Sequence, residues 1–125
     1  MNNSRHVNRF YAAVSVLAGH GHIKQRLVKA YEENLAVIED EDLPIAVKQS
    51  FADLRRMMSR VGPLNREGPI RASVRKMSVD DADECAHKII DLYRDMIPYS
   101  DNPQKSLPMQ IGEQPAVPPV LVKLG

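Results

Sequence analysis

His20 and His22 stand two residues apart, and Cys85 and His87 repeat that spacing, so metal ligation is the first chemistry this sequence raises. Residues two apart on a helix point about 200° away from each other, so Cys85 and His87 diverge if their segment is helical. His20 and His22 fall in Gly19-His20-Gly21-His22, where a loop would let both rings turn to one side. A zinc site needs a third and a fourth ligand, and the spacings that supply them are missing. Cys85 follows Glu84 and flanks an apolar stripe, the setting of a small hydrophobe. An activated thiol wants positive, exposed surroundings and a paired base. Glu32-Glu33, residues 39–42 and residues 80–84 read as solvated helix ends rather than a poised acid and base. Glu84-Cys85-Ala86-His87 is a single Glu-x-x-His, where ferritin-like metal bundles use a pair. The glycines never take the order of a phosphate loop. The expectation is a protein that is not an enzyme and holds neither metal nor cofactor.

Basic side chains are the next candidates. Residues 54–77 carry Arg55, Arg56, Arg60, Arg66, Arg71, Arg75 and Lys76 against Glu67 alone, net +6. Residues 1–31 are net +5 with no acid, residues 32–53 are net −6, and residues 78–96 are net −4. Helix electrostatics accounts for much of this segregation. Acids just before or within a first helical turn, and arginines near a last one, complement the helix dipole. In an antiparallel arrangement Arg5 and Arg9 would face residues 39–42, and Arg55 to Arg60 would lie near residues 80–84. Arg56 and Arg60 resist this account, because like charges four apart on an exposed helix face repel. The seven basic residues are therefore the expected contact for an acidic protein or, as the alternative, for nucleic-acid phosphates. A helix–turn–helix reading fails, since the recognition helix after Ser78 would present Asp80, Asp81, Asp83 and Glu84 to the groove.

The elements that must position these residues show helical periodicity. Val7, Phe10, Val14 and Leu17 form a first stripe, widened by Tyr11 and Ala18; the two glycines after it either close the helix and start a turn or only kink it, and periodicity leaves both open. Arg5, His6 and Arg9 ahead of the stretch Phe10 to Ala18 superficially copy a targeting segment, but the helical stripe continues downstream, which favours a core helix. Ile23, Leu27, Ala30, Tyr31, Leu35 and Ile38 form a second stripe, and Val47, Phe51, Leu54, Met58 and Val61 a third. The fourth runs through Val79, Ala82, Ala86, Ile89, Tyr93 and Met96 behind a Ser78–Asp81 capping pattern. The fold expected is all-α: an antiparallel bundle of about four main helices over 4–18, 22–38, 44–61 and 79–97, with a short extra one near 70–76. Tyrosines and methionines on the stripes read as core filling.

Composition changes at Pro98. Six prolines follow in residues 98–125 and leave no room for a useful helix. The domains expected are a helical bundle over 1–97 and a proline-rich, largely irregular tail over 98–125. Pro118, Pro119, Val120, Leu121, Val122 and Leu124 are too apolar for a spacer and are expected to dock on this domain, on a second copy or on a partner. One cysteine permits no intrachain disulfide, and no apolar run approaches a membrane span. The functional expectation is a cytoplasmic, adaptor-like interaction or regulatory protein that meets protein partners, a homo-oligomeric copy included, and no membrane.

Overall fold

A computed structural model of the chain describes residues 3–62 and 67–100. Among them the regular structure is helical throughout, with five α-helices and no strand. The first, α1, spans Ser4–Leu17. Its buried row is His6, Phe10, Ala13 and Leu17, which keeps Phe10 and Leu17 of the expected stripe and puts His6 and Ala13 where Val7 and Val14 were expected. Tyr11 is 57 % exposed and Ala18 is exposed as well. The chain then breaks rather than kinks. Gly21 takes φ +104°, a conformation in which a Cβ is strained, and the His22 Nδ1 accepts the Lys24 N–H at 3.1 Å to cap the next helix.

That helix, α2, covers Ile23–Ala30 and passes into a π-turn at Tyr31–Leu35. The Ala36 N–H donates to the Tyr31 carbonyl at 2.9 Å, and the Asn34 amide donates to the Ala30 carbonyl at 3.2 Å. Steps of four residues drift around an α-helix; the wider turn offsets the drift and keeps Leu27, Tyr31 and Leu35 all buried. The helix stops at Leu35 rather than at residue 38, yet Ile38 is still buried from the loop. The acid run then forms a 3₁₀ turn, Asp40–Asp42.

The third helix, α3, covers Ile45–Met58. Pro44 precedes its first turn, and the Pro44 carbonyl accepts from Val47 and Lys48 at 3.0 and 3.1 Å. The expected end at 61 is three residues late. Ser59 closes the helix by donating its hydroxyl to the Arg55 carbonyl at 2.6 Å. The short α4, Pro69–Lys76, places Pro69 at its first position, where no N–H is needed. Buried Ser73 accepts the Val61 N–H at 2.9 Å, which ties α4 to the end of α3. The last helix, α5, runs Val79–Met96, with the Ser78 hydroxyl accepting the Asp81 N–H at 3.0 Å as the capping pattern requires. A 3₁₀ turn, Ile97–Tyr99, holds Pro98.

Helix α5 packs against α1, α2 and α3, while α4 lies on α2 and α3. Phe10 of α1 meets Phe51 of α3 edge to face, centroids 5.9 Å apart, and both rings are fully buried. Aliphatic side chains and Met58 and Met96 fill the rest of the core.

Candidate functional site

The basic residues singled out above do not form one surface. Arg55 is turned onto the fold. Its guanidinium pairs with Asp40 at 3.1 Å, donates to the Ile38 carbonyl and lies 5.2 Å from the Phe51 ring centroid. It pins the loop after α2 to α3, and that is a structural task. Arg66 and the six apolar residues from Pro118 to Leu124 lie outside the described residues.

Arg71 and Arg75 line an open groove of about 610 Å³ between α2 and α4. Its floor is apolar, made by half-buried Val28 and buried Val74. Arg71 reaches across to Glu32 in the π-turn at 3.2 Å, and Arg75 holds Glu67 in a two-pronged pair at 2.9 Å. The hydrogen bond donated by Arg75 keeps the Glu67 carboxyl below its ordinary pKa, and the one Arg71 donates to Glu32 holds the Arg71 guanidinium more firmly protonated. Lys24 donates to the Arg75 carbonyl at 3.2 Å, where a cation also complements the end of α4. Lys29 and Glu33 border the same groove without an ion-pair partner among the described residues. Paired charges thus brace the walls, and a free lysine stands at the rim. Exposed Lys76 sits at the end of α4 but does not line the groove.

Arg56 and Arg60 belong to a second depression of about 670 Å³ with Lys88 of α5. Asp53 faces them and forms an ion pair with Arg56. The Gln49 amide and then Arg56 hold the Asp53 carboxyl below its usual range. The repulsion expected between Arg56 and Arg60 is thereby offset in part by one acid.

The nucleophile and metal candidates are placed apart. Cys85 is fully buried, and burial, with Glu84 and Asp81 adding, pushes its thiol up to about 11. His87 points to its own helix, Nδ1 2.9 Å from the Asp83 carbonyl. His22 uses Nδ1 as a helix cap, and His20 is exposed. Among the described residues no three His, Cys, Asp or Glu side chains gather in a way that could hold an ion. No helix there is long and apolar enough to cross a membrane.

No protein-family profile matches this chain, and no curated protein or solved structure is significantly similar to it. Reading the sequence by charge blocks found Arg71 and Arg75 but missed Lys24, Val28, Lys29 and Glu32, which come from a segment about 40 residues away. The Arg71–Glu32 pair spans 39 positions, and no local spacing encodes it. Lys88 was overlooked for a different reason: it sits inside an acidic block, where its charge is outvoted in sequence but not in space.

Proposed function

We propose that this chain is a non-enzymatic helical interaction protein, an antiparallel bundle that binds an acidic, partly apolar stretch of a protein partner along the α2–α4 groove. The observation that supports it is the combination within that groove: an apolar floor of Val28 and Val74 beneath Lys24, Lys29, Arg71 and Arg75, four cations against Glu32 and Glu33 on the same walls. Apolar contact gives a docked segment its affinity, and charge at the rim selects its sign and speeds the encounter. Arg71 and Arg75 are pre-ordered by Glu32 and Glu67, so less freedom is lost when a carboxylate approaches them. The same reading places the protein in the cytoplasm and counts a second copy among its partners, which sedimentation of the full chain measures.

A second reading has its own support. Arg56, Arg60 and Lys88 form a cationic cluster around Asp53, and phosphates of a nucleic acid are one fit for it. The two readings separate on paired charge reversals. Affinity capture from the native host is run with the unaltered chain, with Lys24→Glu/Lys29→Glu, and with Arg56→Glu/Arg60→Glu. Loss of a protein partner in the first variant only supports the groove. Loss of salt-sensitive nucleic acid in the second variant only supports the phosphate reading. If both variants retain what the unaltered chain retains, neither surface is the functional one.

A further inference from the structure

Helices α1 and α5 each carry a second apolar row beside the one they bury. On α1 it is Val7, Tyr11 and Val14; on α5 it is Ile90, Tyr93 and Ile97 just beyond the helix end. Steps of four and three keep each row on one face. Two contacts fix how the rows meet. The Ser4 and Ser100 hydroxyls lie 3.4 Å apart, and the Tyr11 and Tyr93 ring centroids lie 5.8 Å apart with planes tilted by 52°. Both contacts fit one antiparallel register, which sets Val7 level with Ile97 and Val14 level with Ile90. Tyr11 is 57 % exposed, and Ile90 and Ile97 keep 42 % and 40 % of their surface in water, while Val7, Val14 and Tyr93 between them are half-buried against the core. Single exposed hydrophobes need no explanation, but rows aligned across two helices around an aromatic pair form a contiguous patch.

The chemistry of this ledge narrows its occupant. Proline-rich segments dock on surfaces lined by aromatic side chains, because their backbone is already set and loses little entropy on binding. This chain carries such a segment: Pro115-Ala116-Val117-Pro118-Pro119, followed by Val120, Leu121 and Val122. The route to it starts at the edge of the ledge. Ser100 touches Ser4, which lies roughly 10 Å along α1 from Tyr11. Residues 101–114 separate Ser100 from Pro115, and a stretch of that length reaches at most roughly 45–50 Å, ample for a return to the tyrosines. A short tether also raises the local concentration of the segment to the millimolar range, so a modest contact suffices.

We infer that residues 115–122 dock in cis on the Tyr11–Tyr93 ledge, the prolines against the rings and the aliphatic side chains beside Ile90 and Ile97. Occupation of the ledge is independent of the α2–α4 groove. The test is paramagnetic broadening in the full-length chain carrying a spin label at Gln114→Cys; Cys85 is fully buried, so the label goes to the introduced thiol. The expected result is at least a twofold loss of amide signal at Tyr11, Ile90 and Tyr93, recovered when Pro118→Ala/Pro119→Ala is added. Absence of broadening at the two tyrosines, strongest broadening at Val28 and Val74 instead, or broadening that survives the proline replacement overturns the inference. So does broadening in a mixed sample with the spin label and the nitrogen-15 on different chains, which would put the segment on a second copy.

Discussion

Two side chains in this molecule do something their residue type does not advertise. Arg55 lies in the basic block expected to meet a partner, yet it links Asp40, the Ile38 carbonyl and the Phe51 ring. A charge-assisted hydrogen bond to a half-buried carbonyl outweighs an exposed ion pair, so Arg55→Ala is expected to lower unfolding stability by about 1–2 kcal/mol. Arg56→Ala, which removes an exposed intrahelical pair, should stay within about 0.5 kcal/mol of the unaltered chain. Urea titrations of the two variants decide the order. His6 is the other case. It is buried in the core row of α1, and its Nδ1 makes no hydrogen bond. Burial, then Arg9, with Arg5 adding less, lowers its pKa below 6.5, against a weaker pull from Asp42. The unfolded chain therefore binds the proton more readily than the folded one. The stability of the neutral form is complete above about 6.5 and is lost as pH falls from there towards the folded pKa. His6→Leu should flatten that acid limb in denaturation curves taken just below pH 6.5, and an unchanged slope would show that His6 is not its source.

Single elements were legible to different degrees, for reasons that can be located. On α3 the expected Val47, Phe51, Leu54 and Met58 are all buried, since no polar residue interrupts the row and no second row competes, while Val61 falls beyond the helix end and is only half-buried. On α1 the expected Phe10 and Leu17 are in the core, but two rows lie one residue apart, and Val7 and Val14 stand in the expected stripe where the fold buries His6 and Ala13. On α5 the expected Ala82, Ala86, Ile89 and Met96 are buried, but the core row is set slightly differently from the stripe. Cys85 and Leu92 belong to the core, while Val79, assigned to the stripe, is 51 % exposed. Hydropathy cannot tell which of two apolar rows is buried when a neighbouring helix takes only one. Turn chemistry was more faithful. Gly21 with positive φ and the Ser78 cap are local, and both lie where the sequence puts them. The cap permits a direct check. Ser78→Ala leaves the Asp81 N–H without its acceptor at the start of the helix that touches three others. Stability should fall by about 1 kcal/mol in thermal melts, while Ser78→Asp should restore most of it. Equal melts for Ser78→Ala and the unaltered chain would mean that the cap contributes nothing.

The helices assemble three surfaces of different chemistry on one scaffold: the braced groove of α2 and α4, the cationic depression of α3 and α5, and the aromatic ledge of α1 and α5. None was visible as a surface in the sequence, because each joins residues far apart in the chain. Charge blocks did foretell some neighbours, since Asp42 acts on His6 beside Arg9, and Arg60 acts on Cys85. They did not foretell that Arg55 would leave its block for Asp40 or that Arg71 would cross to Glu32. Partner binding is proposed for the groove of α2 and α4. Hydrogen exchange on the full chain, with and without a captured protein partner, tests it most directly. Protection is predicted within residues 23–35 and 69–76, with residues 51–60 unchanged. Protection confined to 51–60 and the Lys88 region, with none along α2 and α4, would contradict it.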